Sequence, residues 1–329
     1  MVLNAASVLE RINATVAEAP VNGGRKFTFR AMGTLCQVTF YATDSRVAGE
    51  QFKAATLRWV AEFEARYSRF LPDSLVSLIN QSAGKSWVEL DPEAENLFAL
   101  CHELFFLTRG AFDPTAMPLI KLWNWKANPP VIPSDEMIAA TRQIVGWNKV
   151  QRRNGAIYLP QEGMSVDLGG IGKEYAVDRV MQIAAQHGLA NVLADFGQDL
   201  SMRGAPPSKP AWHIGLEDPT APGKCWVGLA VKDRAVATSG DYLRHFQING
   251  RRYGHIIDPR TGFPVANGCR AVSVVAPNCT IAGILSTSAF ILGPTEGLNL
   301  IGSYMGADGC IITDNSRHET RKFHEYVIR

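Results

Sequence analysis

The chain has 329 residues, 33 of them basic and 31 acidic, for a formal net charge of +2. At 46% apolar and 19% charged it is too apolar for a disordered chain, and it is long enough for one large or two medium domains with a sizeable core. The near balance of charge leaves no electrostatic footprint for nucleic acid or an anionic membrane surface.

Residues 1–25 read as a lead segment with a short helix, ending at Asn22-Gly23-Gly24. The segment lacks a basic start, a long apolar run and a twin arginine, and Cys36 comes too late for a lipoprotein signal. The expectation is a cytoplasmic protein, or a periplasmic one whose signal was removed. Thr34–Tyr41 alternates and is rich in β-formers, so it reads as a strand. Phe52, Ala55, Trp59, Val60, Phe63 and Tyr67 recur at helical spacing and predict an amphipathic helix over 46–67. Asp91-Pro92 offers a cap and a first-turn proline for a second helix, with Leu97, Leu100, Leu104 and Phe105 on one face. The proline-rich stretch 127–134 is a loop; Ser134 caps the next helix, which Gly146 is expected to end.

Ala176, Val177, Val180, Ile183, Ala184 and His187 mark a further helix, closed by Gly188. Strands are expected near 191–195, 211–216, 226–231 and 234–238. Asn249-Gly250 is a strong hairpin signal because both residues tolerate positive φ; a two-residue turn there sets Arg244 opposite His255. Residues 271–295 carry no charge, but Pro277-Asn278 divides them into a buried strand and a helix of about four turns, too short to span a bilayer. The terminal KFHEYVIR reads as a last strand. Runs of strand and helix without regular alternation predict an α+β fold with mixed or antiparallel sheets and packed helices. The six cysteines show no CxxC pair or zinc-like cluster, so they read as reduced thiols, mostly core.

Four segments could carry chemistry. In Val166–Asp178, Gly169-Gly170-Ile171-Gly172 leads into a helix whose start can hold an anion, with Lys173 adding charge; a plain tight turn is an equal alternative. It is neither a Walker A loop nor GxGxxG. Residues 237–264 crowd Thr238, Ser239, Asp241, His255, Asp258, Arg260 and Thr261 around the hairpin. On the late apolar helix, Thr280, Ser286, Thr287 and Ser288 stand out, although such hydroxyls usually bond their own helix. Phe112-Asp113-Pro114-Thr115 with Trp123 and Trp125 could wall a planar ligand or be core. No nucleophile elbow and no HExxH occurs.

Together and in this order, these segments resemble the ApbE-type FAD:protein FMN transferases. The resemblance covers nearly all of residues 30–313. It runs through Ala31-Met32-Gly33-Thr34, Tyr67-Ser68-Arg69-Phe70 with Ser74 and Asn80, and Gly110-Ala111-Phe112-Asp113-Pro114-Thr115. It continues through Asp167-Leu168-Gly169-Gly170-Ile171-Gly172-Lys173, Ala237-Thr238-Ser239-Gly240-Asp241-Tyr242 and His255-Ile256-Ile257-Asp258-Pro259-Arg260-Thr261-Gly262.

The resemblance implies one flavin transferase domain over 26–329 with a T-fold-type architecture. It implies FAD as substrate, Mg²⁺ at the pyrophosphate, and an acceptor flavoprotein whose Ser or Thr receives FMN as AMP leaves. It assigns catalysis to His255, Asp258 and Thr287. It assigns FAD contacts to Met32, Asp113, Thr115, Gly169 and Gly170, and to Lys173, Ser239, Asp241, His255 and Arg260, with His255 and Ser239–Asp241 at the flavin and Asp167–Lys173 at the pyrophosphate. It assigns the metal to Gly172, Thr287 and Asp167.

The chain departs from the family at the late helix. Where the family reads Ala-Asp-Ala-Leu-x-Thr, with its Asp on the metal, this chain reads Ala282-Gly283-Ile284-Leu285-Ser286-Thr287. A second departure is Gly197-Gln198-Asp199, where the family usually has Gly-Gly before an acidic residue. Three readings therefore stand: an active transferase whose metal is held by another carboxylate such as Asp167 or Asp241, or by FAD phosphates plus water; a flavin-binding protein without transfer; and an FAD pyrophosphatase. If Gly283 is a defect, Gly283→Asp should tighten metal dependence.

Overall fold

The computed structural model describes residues 5–41, 46–221, 223–242 and 244–328. Helix α1 (Ala5–Asn13) leads into a meander of β1 (Ala17–Val21), β2 (Gly24–Ala31) and β3 (Thr34–Tyr41). A helical section follows: α2 (Arg46–Tyr67), α3 (Leu75–Gln81), α4 (Pro92–Leu107), α5 (Met117–Trp123) and α6 (Asp135–Arg142). Short strands β4 (Val88–Glu89), β5 (Gln151–Arg153) and β6 (Ala156–Tyr158) make a small sheet beside it. Then come α7 (Gly172–Gln186), β7 (Asn191–Phe196) and β8 (Asp199–Arg203), and a hairpin of β9 (Trp212–Glu217) and β10 (Cys225–Val231). After β11 (Ala235–Gly240), a second hairpin pairs β12 (His245–Ile248) with β13 (Arg251–Gly254). The chain finishes with β14 (Cys269–Ala276), α8 (Cys279–Leu292), α9 (Pro294–Ser303), β15 (Asp308–Thr313) and β16 (Arg317–Glu319).

Nine strands form one sheet in the order β1-β2-β3-β7-β8-β11-β14-β15-β16. Every pairing in it is antiparallel, and its spatial order follows chain order, so the sheet is a meander interrupted by insertions. The alternation of β3 buries Cys36, Val38 and Phe40 on one face. In β14, Val272 and Val274 join the main core under the helices, while Val275 joins a second core with Val236, Cys310, Trp212 and Phe323. Both faces are covered, which is why this strand is apolar along nearly its whole length.

Helix α2 spans the residues expected from its periodicity, and Asp91 and Ser134 cap α4 and α6 through their side chains. The β12–β13 register puts His245 opposite Gly254, and the His255 amide bonds the Arg244 carbonyl at 3.0 Å. Two local expectations change. Helix α6 ends at Arg142, and Gly146, with φ 136°, instead opens a 3-10 turn at Trp147–Lys149. Of the terminal stretch read as a strand, Phe323–Tyr326 forms a 3-10 turn that plugs Phe323 into the second core, and Val327 makes a single antiparallel bridge with Leu229. Strand β8 follows β7 through a turn in which Gly197 and Gln198 both have positive φ. The lead segment supplies the edge strand β1 and, through Val8 and Ile12 of α1, part of the main core. Among the described residues no helix is long and apolar enough to cross a membrane, and all six cysteines are free.

Candidate active site

A cleft of about 480 Å³ opens at one end of the large sheet, where α7, α8, the β7–β8 turn, β11 and the root of the β12–β13 hairpin meet. Its size suits a small-molecule ligand. Of the residues singled out from the sequence, it brings together Asp113, Asp167, Gly169 and Gly170 with Lys173, Ser239, His255 and Thr287.

One corner is the start of α7. Gly169 and Gly170 are exposed there, and a side chain at Gly170 would meet nothing closer than Phe112, at 3.8 Å. A ligand can therefore approach the backbone at the positive end of a 15-residue helix. Asp167 accepts the Gly169 amide at 3.1 Å and pairs with Arg69 at 3.1 Å, which fixes the turn. Lys173 projects from the first turn of α7 to Asp199, with Glu174 Oε1 3.6 Å from its ammonium. Burial works against the charge on Lys173, but the Glu174 and Asp199 carboxylates outweigh it and raise its pKa. Burial first, then the charge of Glu174, pushes Asp199 up against the pull of Lys173.

The second wall is a line of hydroxyls. Ser239 Oγ lies 2.8 Å from Ser286 Oγ and 2.7 Å from Thr287 Oγ1. Ser286, 1% exposed, donates to the Gly283 carbonyl at 3.0 Å. A hydroxyl has one proton and the carbonyl can only accept, so with all three bonds made the directions follow. Ser286 gives its proton to the carbonyl, Ser239 gives its own to Ser286, and Thr287 must donate to Ser239. Thr287 Oγ1 is left with lone pairs only.

The third wall carries His255 and apolar groups, including Trp125, Ile256 and Ile257. His255 Nδ1 faces the Arg244 carbonyl at 3.2 Å, a pure acceptor, so the proton sits on Nδ1 and Nε2 is an acceptor. Burial, aided by the Arg244 charge, lowers its pKa to about 4. The ring is therefore neutral at physiological pH.

The other expected residues do not line the cleft. Met32 sits in the β2–β3 turn with φ 50° and its amide donating to Glu64 at 3.0 Å. Thr115 is buried, donates to Asp113 at 2.6 Å and accepts the Gly146 amide at 2.7 Å. Asp113 also takes the Trp147 amide at 3.1 Å, so the pair braces the 113–116 loop against the 3-10 turn; burial raises Asp113 against these bonds. Gly172 is the first residue of α7, facing Phe63. Asp241 is tied to Arg252 at 2.7 Å at the hairpin root. Asp258 grips Arg260 through two side-chain bonds of 2.9 and 2.8 Å, which shapes the turn after His255 and holds Arg260 to its own loop.

Two carboxylates on the cleft were given no site role from the sequence: Glu174, and Asp199, which was noted only for the Gly197-Gln198-Asp199 departure. Glu174 follows Lys173 and resembles an ordinary first-turn acidic residue. Its position becomes informative only beside α8, where a Cβ on Gly283 would stand 2.5 Å from Glu174 Cγ. Asp178, one turn further along α7, fixes this contact. Its carboxylate accepts the amides of Cys279 and Thr280 at 2.7 and 2.8 Å and the Thr280 hydroxyl at 2.7 Å, capping α8 from a neighbouring helix.

Comparison with known proteins gives a consistent picture. The chain is 32% identical to the FAD:protein FMN transferase of Treponema pallidum, over 87% of this chain and 83% of that protein. It is 28% identical to the FAD:protein FMN transferase of Vibrio cholerae serotype O1, over 81% of each. The crystal structure of the ApbE protein from Thermotoga maritima superposes with a TM-score of 0.84 at 30% identity, covering 93% of this chain and all of that one. The pattern of the ApbE family matches residues 32–311, and the chain belongs to that family.

Proposed function

We propose that this chain is an FAD:protein FMN transferase, which moves FMN from FAD to a Ser or Thr hydroxyl of an acceptor protein and releases AMP. The observation that carries this reading is the meeting, in one cleft, of a glycine-lined helix start with Lys173 and a neutral histidine beside apolar walls. The first suits a diphosphate and the second a flat ring system and a proton transfer.

The residues divide the work. Gly169 and Gly170 let the diphosphate reach the backbone at the α7 start, and Lys173 adds a fixed positive charge. Trp125, Ile256 and Ile257 offer the flat and apolar surface that a ring needs. In the transfer, the acceptor oxygen bonds to the FMN phosphorus, the bond from that phosphorus to the bridging oxygen breaks, and AMP departs with that oxygen. The hydroxyl proton goes to a base, for which His255 Nε2 is neutral and available. A divalent cation, when bound, would neutralise diphosphate charge and ease departure of AMP.

The oxygen donors on the cleft suit such a cation: Thr287 Oγ1 offers lone pairs, and Glu174 Oε2 is buried without a hydrogen-bond partner. Incubation with FAD, Mg²⁺ and candidate acceptor proteins, read by flavin fluorescence in denaturing gels, is expected to label an acceptor at a Ser or Thr. Bound FAD with no labelled acceptor and no AMP would contradict the proposal.

A further inference from the structure

We propose that Glu174 is the carboxylate that holds a divalent cation in this cleft, beside the Thr287 hydroxyl, so that α7 supplies the anionic ligand that α8 lacks at Gly283. The inference rests on the transferase reading and names the cation-holding residue of the same site. Four observations support it.

The first is an unsatisfied group. Glu174 is 6% exposed and borders the cleft, and its Oε2 has no hydrogen-bond partner. Its other oxygen stands at 3.6 Å from Lys173, beyond hydrogen-bond range. A buried carboxylate oxygen without a partner is costly unless something binds it.

The second is a fitted notch. A Cβ on Gly283 would lie 2.5 Å from Glu174 Cγ, 3.1 Å from Cδ and 3.0 Å from Oε1. Glycine at 283 is thus the space through which the Glu174 side chain crosses onto α8. Gly283 and Thr287 are four apart on that helix and share a face. The Asp178 cap on Cys279 and Thr280 holds the two helices together one turn away.

The third is the direction of the hydroxyl protons. Thr287 donates to Ser239, so only its lone pairs remain. An oxygen in that state suits a cation and repels a second acceptor.

The fourth is charge. The corner holds three carboxylates, Asp167, Glu174 and Asp199, against two cations, Arg69 and Lys173. A diphosphate brought to this corner adds further negative charge. One divalent cation corrects the deficit, which remains after Lys173, shared with Asp199, has been counted. Among the described residues no cluster of three His, Cys, Asp or Glu side chains could hold a metal, so a transition-metal cage is not built here. One carboxylate, one hydroxyl and substrate phosphates form the hard-oxygen set that suits Mg²⁺ or Mn²⁺.

The test uses Mn²⁺ as probe, following the electron paramagnetic resonance signal of the free ion with and without FAD. FAD binding is measured separately, without metal, by flavin fluorescence. The variants are Glu174→Gln, Asp199→Asn and the exchange Glu174→Gly/Gly283→Asp. Glu174→Gln is expected to weaken Mn²⁺ by about tenfold or more while metal-free FAD binding holds, and the exchange should recover much of the loss. Wild-type Mn²⁺ affinity in Glu174→Gln would overturn the proposal. So would the absence of Mn²⁺ binding by the wild-type protein with FAD, a loss confined to Asp199→Asn, or a folded exchange variant as weak as Glu174→Gln. Failure of the transferase reading shows differently, as Mn²⁺ and FAD bound normally with no acceptor labelled.

Discussion

Glu174 and Gly283 interlock: the glutamate side chain occupies the space that any side chain at 283 would need, with its Cγ 2.5 Å from the absent Cβ. The helix α8 glycine is therefore a packing requirement of α7. Gly283→Ala is expected to destabilise the protein by about 1–3 kcal/mol through overpacking, despite the higher helix propensity of alanine. Gly283→Asp, which the sequence by itself suggested as a gain, should cost at least as much and should weaken metal binding by displacing Glu174. Urea denaturation of both variants checks this; unchanged midpoints would show that the notch is not filled.

Asp178 joins α7 to α8 through three hydrogen bonds, and burial raises its pKa against them. Asp178→Ala removes a cap and leaves two amides without their acceptor. A loss of about 2–3 kcal/mol is expected in denaturant unfolding, together with weaker Mn²⁺ binding, because the Glu174–Gly283 contact depends on that joint. Normal stability would contradict the bracing role.

Thr287 can be tested by shape. Thr287→Val keeps the volume but removes the oxygen, and is expected to lower Mn²⁺ affinity by about tenfold with little change in stability. Thr287→Ser keeps the hydroxyl and should restore binding. Equal affinities for the two variants would argue against an oxygen ligand at this position.

His255 gives a pH dependence with a definite sign. Its pKa falls from an ordinary 6.5 to about 4 in the folded chain, first through burial and then through the Arg244 charge. The unfolded chain thus takes up the proton first. Stability from the neutral ring is complete above pH 6.5 and is lost as pH falls towards 4. Thermal melts of wild type should therefore decline more steeply over that range than those of His255→Gln; parallel curves would contradict the burial of a neutral imidazole. Transfer should also persist below pH 6.5, wherever FAD still binds.

Much of this was legible in the sequence where the signal is local. The alternation of Thr34–Tyr41, the spacing from Phe52 to Tyr67 and the Asp91-Pro92 start each specify their element without help from elsewhere. Asn249-Gly250 fixed the hairpin register, and with it the place of His255. What local signals do not carry is direction. Asp241 and Asp258 sit among site residues in the sequence, yet each turns to an arginine of its own segment, Arg252 and Arg260. Glu174 and Gly283 look like an ordinary acidic residue and a poor helix former until tertiary packing sets one inside the other. The last residues differ for a similar reason: KFHEYVIR has strand-like composition, but burial of Phe323 in the second core goes with a 3-10 turn over Phe323–Tyr326, and only Val327 pairs, with Leu229, among the described residues of that stretch.

The most direct measurement of the central claim is the amount of AMP released against the amount of FMN covalently attached, from FAD and Mg²⁺ with and without acceptor protein. Transfer gives equal amounts of the two, dependent on acceptor. AMP with free FMN in the absence of acceptor would make water the nucleophile and the protein an FAD pyrophosphatase, and FAD bound intact would leave a flavin-binding protein without the transfer.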